Sequence, residues 1–169
     1  MEPFRQFLVG NGTLSHGTTL PASPPGTNES EGKLEITVIF TSADATLAAI
    51  DRAAALLNGL NGRISVVAAQ SVPYPLPLER PPVLLDLNQQ RLIDIASKSP
   101  VETTVHLYLC RWRSETLASA LKPGTVVVIG GRKRWWPTWE KSLARKLRRT
   151  GFTVIFLELP EARRPATND

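Results

Sequence analysis

An α/β fold, a three-layer α/β/α sandwich around a five-stranded parallel sheet, is predicted by three observations. Short β-branched apolar runs alternate with segments of helical period along residues 34–160. One run, Thr125-Val126-Val127-Val128-Ile129, has no charged or strongly polar position, as expected of a central parallel strand covered on both faces. Gly, Pro and Asn gather between the runs, where each element must stop. Strands joined through helices pair in parallel, because a hairpin can only join antiparallel neighbours.

The first strand is predicted over residues 36–40, followed by a helix with Leu47, Ile50, Ala54 and Leu57 on one face. Ser42 or Asp44 can cap its start, and the pairs Asn58-Gly59 and Asn61-Gly62 mark its end. Residues 64–72 read as the second strand. Pro73, Pro75, Pro77, Pro81 and Pro82 then favour an extended loop, since each lacks the backbone N–H that a helix needs. A helix over residues 84–97 follows, and Pro100 separates it from a strand over 101–110. There Val101, Thr103, Val105, Leu107 and Leu109 alternate onto one face. Ser114 can cap a short helix through Leu121, stopped by Lys122-Pro123-Gly124. After the fourth strand, Gly130-Gly131 suggests a sharp turn. The last helix spans residues 138–150, with Trp139, Leu143 and Leu147 facing the core, and the fifth strand runs over 152–159.

The chain has 169 residues, the size of one domain. Of the 23 residues from 10 to 32, 17 are Gly, Pro, Ser, Thr or Asn, too little apolar surface to offset the entropy of ordering. Residues 1–33 are therefore expected to be a disordered leader, with His16 solvated inside it, and residues 161–169 a flexible tail. No apolar run approaches the roughly 18 residues of a membrane span, and the N-terminus lacks the apolar segment of a signal peptide. Cys110 is the single cysteine, which excludes an internal disulfide and a Cys-rich zinc site. These features point to a cytoplasmic protein.

Charge is concentrated. Residues 132–149 hold eight of the 20 basic residues and one acid, Glu140, while the rest of the chain is slightly acidic. This excludes an evenly cationic coat. Ligands of open parallel sheets sit beyond the carboxyl ends of the strands, which directs attention to Thr41, Ser42 and Asp44 after the first strand and to Gly130, Gly131, Arg132, Lys133, Arg134, Trp135 and Trp136 after the fourth. Thr41, Ser42 and Asp44 serve equally as helix caps or as an anion site at a helix N-terminus. Basic side chains beside indoles can bind phosphate and stack on a base, or the indoles can simply anchor the loop. Lys141, Arg145, Arg148 and Arg149 share one helical face, either a solvated face or a contact for a polyanion or acidic partner. Neither a P-loop nor a GxGxxG fingerprint is present. His106, in mid-strand, suits a hydrogen-bonded sheet position better than a general base. Cys110 ends its strand beside Arg111 and Arg113, which could lower its pKa, but a nucleophile also needs a placed base. No metal site or catalytic constellation is visible.

The order of elements, with the stretch Ile36-Thr37-Val38-Ile39-Phe40-Thr41-Ser42-Ala43-Asp44-Ala45-Thr46-Leu47-Ala48-Ala49 and the stretch Thr125-Val126-Val127-Val128-Ile129-Gly130-Gly131-Arg132, resembles the universal stress protein family. The resemblance covers about three quarters of the chain. Where that family binds ATP, it places an Asp after the first strand and a G-x2-G-x9-G-(S/T) motif after the fourth. Here Thr41 stands at the Asp position, Arg134 lies three residues after Gly131, and Glu140-Lys141 falls near the final Gly-Ser. The resemblance thus implies a degenerate nucleotide crevice, with Gly130 and Gly131 as its remaining contacts. It also implies a homodimer formed through the last strand, from Phe152 at its start to Leu159 at its end.

Together these features predict a non-enzymatic regulatory or binding domain that needs no cofactor. The alternatives are a protein binding ATP or another nucleotide with weak ATPase activity, and a single-stranded nucleic-acid module. An anionic ligand, a nucleotide or an acidic protein is the expected partner, with nucleic acid behind these and no membrane.

Overall fold

The computed structural model describes residues 4–9, 34–78 and 85–160. Its elements are β1 (Phe4–Val9), β2 (Leu34–Ile39), α1 (Ala43–Leu56), β3 (Gly62–Ser71), α2 (Leu85–Ala96), β4 (Thr103–Cys110), α3 (Arg113–Ala120), β5 (Val126–Arg132), α4 (Trp139–Arg149) and β6 (Thr153–Leu159). The strands form one sheet in the order β1-β4-β3-β2-β5-β6. The expected five strands β2 to β6 are all parallel.

The sixth strand corrects the expected leader. Phe4–Val9 pairs antiparallel with β4, Phe4 opposite Cys110 and Val9 opposite Val105. Without it, β4 would end the sheet with a row of unpaired backbone groups. The remainder of the leader, with His16, and the tail over 161–169 lie outside the described residues, as do residues 79–84 of the proline-rich loop.

Helices α1 and α2 cover one face of the sheet, where Ala49, Ile50, Ala53, Leu92 and Ile95 meet Ile36, Val38, Ile64, Val66, Val105, Leu107 and Val128. Helices α3 and α4 cover the other, where Leu117, Leu143, Ala144 and Leu147 meet Ile39, Val67, Tyr108, Val127 and Ile129. Since both faces are covered, β4 is buried on both, and the side opposite Val105 and Leu107 carries Tyr108 and Cys110 inside the core.

Three local expectations are corrected. Gly130-Gly131 is no turn: both residues continue β5, opposite Leu157 and Glu158 of β6. Gly62 begins β3 rather than ending α1, which stops at Leu57 with Gly59 at φ 78°. Ser114 lies inside α3, with Trp112 at the N-cap position. The last helix is capped by Thr138, the Lys141 N–H donating to Thr138 Oγ1 at 3.4 Å. Trp139 packs, partly buried, on the core as expected. Among the described residues no helix is long and apolar enough to cross a membrane.

Candidate functional site

The chain winds from β2 through β3 to β4 in one direction and then crosses to β5 and β6 on the other side. Strand order therefore reverses between β2 and β5, and a crevice opens beyond their carboxyl ends. Two adjoining clefts occupy it. The larger, about 720 Å³, has an apolar floor of Ala68, Leu92, Ile95 and Leu107, with Arg91, Asp94 and Arg113 as its charged side chains. The smaller, about 400 Å³, is walled by Gly131, Arg132, Arg134, Trp136, Thr138 and Glu140. Thr41 and Ser42 line both, so the clefts form one groove.

Local chemistry explains why Thr41 and Ser42 stand there. Ser42 holds the N-cap position of α1, yet its side chain makes no capping bond. The first bond of the helix runs from the Thr46 N–H to the Ser42 carbonyl at 2.8 Å, and the Thr46 hydroxyl accepts from the Thr41 N–H at 3.2 Å, fixing the chain just before the helix. The Thr41 hydroxyl donates to the Gly130 carbonyl at 2.7 Å and so ties the ends of β2 and β5 together. The Ser42 hydroxyl is left facing the groove, which separates it from an ordinary cap.

The two glycines serve packing. A Cβ on Gly130 would collide with the carbonyl of Ala45, because the first turn of α1 lies directly on β5. A Cβ on Gly131 would come within 2.8 Å of Phe156 Cζ. Gly131 lines the smaller cleft; Gly130 contributes its carbonyl to Thr41.

The cations are divided among different tasks. Arg132 pairs with Asp44 at 3.3 Å across the groove, an exposed bridge of small net stability. Lys141 donates to Glu158 at 2.7 Å and to the Arg134 carbonyl at 3.0 Å, fixing the loop onto β6. Lys141, helped by Lys133, holds the Glu158 carboxyl below its ordinary pKa. Arg148 donates to the Val154 carbonyl at 3.2 Å. The expected cationic face is thus corrected in part, with Lys141 and Arg148 tying α4 to β6. Arg145 and Arg149 remain exposed, but α4 rises about 1.5 Å per residue away from the groove, and they are not gathered with Arg132 and Arg134.

Trp135 is 90% exposed and Trp136 54% exposed, their ring centroids 5.4 Å apart and tilted by 42°. Anchoring the loop therefore falls to Lys141 rather than to these indoles. Arg113 lies 4.2 Å over the Trp139 ring, and its buried Nε has no hydrogen-bond partner. Arg91, Asp94, Leu92 and Ile95 were not marked as site residues by any sequence pattern, since α2 reaches the groove only through the fold, and Arg113 was singled out only as a neighbour of Cys110. Arg111 donates to the carbonyls of Val72, Pro73 and Leu76 and stacks 4.1 Å over Tyr74, shaping the start of the proline-rich loop.

His106 and Cys110 line neither cleft. Burial lowers the His106 pKa to about 4, with Glu35 opposing and Arg63 adding to the shift. Cys110 is corrected: burial raises its pKa, outweighing a Thr116 hydrogen bond and the charge of Arg113, and its thiol faces the Gln70 carbonyl at 3.6 Å.

No family model and no curated protein matches the sequence. Among solved structures the chain is similar to a crystal structure of a protein from the universal stress protein family from Burkholderia pseudomallei. The identity is 18% and the TM-score 0.51, over 79% of this chain and 100% of that one. The likeness is one of fold: this chain and that universal stress protein structure share an α/β architecture.

Proposed function

We propose that this chain is a non-enzymatic binding domain of universal-stress type whose groove takes a nucleotide-like anion, in a mode altered from phosphate-cradling ATP binding. The observation that carries the proposal is the meeting of the two clefts at Thr41 and Ser42. An apolar chamber suited to a flat heterocycle adjoins a mouth bearing Arg132, Arg134 and the N-terminus of α4, suited to an anion. The unused Nε of Arg113 and the Ser42 hydroxyl supply further donors. The two side chains best able to attack or to shuttle protons, Cys110 and His106, are buried in the sheet, which favours binding over turnover.

Titration with AMP, ADP and ATP tests this directly, because Trp136 lines the groove. Saturable fluorescence change and a rise in melting temperature are expected, worth about 2.7 kcal/mol at a hundredfold excess over Kd, with no phosphate released. An unchanged spectrum and melt would remove the nucleotide site. Turnover abolished by Ser42→Ala would overturn the non-enzymatic assignment.

A homodimer through β6 belongs to the same proposal. This strand ends the sheet, and Val154, Ile155, Phe156 and Leu157 are only partly covered, leaving an edge that a second copy can extend. Light scattering should return twice the chain mass, and the monomer mass on Leu157→Asp. A monomeric wild type rejects the pairing.

A further inference from the structure

Resting on that nucleotide reading, we infer that the groove's ligand is a pair of bases joined by a phosphodiester, supplied by a short single strand or a free dinucleotide, rather than a nucleoside triphosphate. Three observations on independent parts of the groove support this.

The first is charge. Beside the smaller cleft, Arg132 and Arg134 face Asp44 and Glu140. Lys141 is bound to Glu158, and Lys133 lies within that carboxylate's field. Over the whole groove Arg91, Arg113, Arg132 and Arg134 stand against Asp44, Asp94 and Glu140, a surplus of one positive charge and too little for a triphosphate, which brings several negative charges with it. A phosphodiester brings a single charge. Displacing Asp44 from the exposed Arg132 pair costs little and frees one guanidinium for it.

The second is backbone. A polyphosphate needs glycines whose open face lets it approach the chain closely. Here the open faces of Gly130 and Gly131 are already filled, by the Ala45 carbonyl and by Phe156. The strand end that would wrap a phosphate chain is packed against protein.

The third is the pair of apolar stations on either side of the anion site. The chamber above Ala68, Leu92, Ile95 and Leu107 can enclose one base. Beyond Arg134, Trp135 and Trp136 present indoles that are tilted rather than stacked on each other, leaving faces to water. A second base would cover one of them. Thr41 and Ser42 line both clefts and Trp136 lines the smaller, so the chamber and this indole belong to one groove.

The test compares AMP, ATP, adenylyl-3′,5′-adenosine and an eight-residue oligoadenylate by calorimetry on the full chain. The dinucleotide is expected to bind at least about tenfold tighter than AMP or ATP, the increment of one stacked base. Replacing both exposed indoles, as Trp135→Leu with Trp136→Leu, should bring the dinucleotide down to the affinity of AMP, with an unchanged melt showing that the fold is intact. Equal affinities for dinucleotide and octamer would assign the free dinucleotide as ligand; a tighter octamer would assign a strand. If AMP binds and the dinucleotide binds no better, or if ATP binds tightest, the phosphodiester assignment fails while the nucleotide groove stands. If no nucleotide binds, both fall. If the indole variant loses binding to phosphatidylserine vesicles but keeps its full dinucleotide affinity, the indoles serve a lipid surface and the assignment is overturned.

Discussion

Gly130→Ala is expected to destabilise the protein by about 3 kcal/mol or more, at the upper end of overpacking effects. The new methyl meets the carbonyl of Ala45, which is backbone in the first turn of α1 and cannot swing aside as a side chain could. Relief requires lifting α1 from β5, which loosens the Thr41 to Gly130 hydrogen bond and the packing of Ala49 and Ile50. Alanine's lower backbone entropy cost works the other way, but by only about 0.5–1 kcal/mol. In a chain of this length the net loss corresponds to a fall in melting temperature of about 6–12 °C. Gly131→Ala is the matched control. Its methyl meets the tip of the Phe156 ring, which has room to shift on the partly covered β6, so about 1 kcal/mol is expected. Thermal melts of the two variants decide the point: equal effects would show that α1 does not depend on a bare strand at Gly130.

Acid should destabilise the protein through His106. Its imidazole is buried on the α3 side of β4, near the ion pair in which Arg63 donates to Glu35 at 2.6 Å, and burial holds its pKa at about 4 against the ordinary 6.5. Between those values the unfolded chain carries a proton on this residue and the folded chain does not. Stability from this group is therefore complete above pH 6.5 and drains away as pH falls toward 4, by about 1.4 kcal/mol per unit and about 3 kcal/mol in all. Below pH 4 both states are protonated and the group contributes no further slope. Urea titrations at pH 7, 6, 5 and 4 measure this, with His106→Leu as comparison. The variant should lose about 3 kcal/mol less than the wild type over the interval, whatever its stability at pH 7. Parallel profiles would place the acid sensitivity elsewhere, in the carboxylates.

The sequence alone determined the order and kind of the elements from β2 onward, because the periods that mark them are local. The alternation from Val101 to Leu109, the unbroken 125–129 run and the four-residue spacing of Trp139, Leu143 and Leu147 each lie within one segment. It also placed Thr41, Ser42, Arg132 and Arg134 at one end of the sheet, where the groove opens, since a parallel order puts the carboxyl ends of the strands together. Only the tertiary structure decided the rest, for one physical reason: contacts between distant segments leave no periodic trace. Phe4–Val9 became a strand because β4 had an open edge to fill. Gly130 proved to be a packing residue because Ala45 of α1 lies on it, beside a hydrogen bond to its carbonyl from Thr41, 89 residues away. Arg91 and Asp94 reached the groove because α2 packs against β4, although nothing in their neighbourhood marks them. The basic run, one block in the sequence, was divided by distance: Lys141 to Glu158, Arg148 to the β6 backbone, and Arg132 and Arg134 to the groove. Charge can be counted along a chain, but its partners are set by the fold.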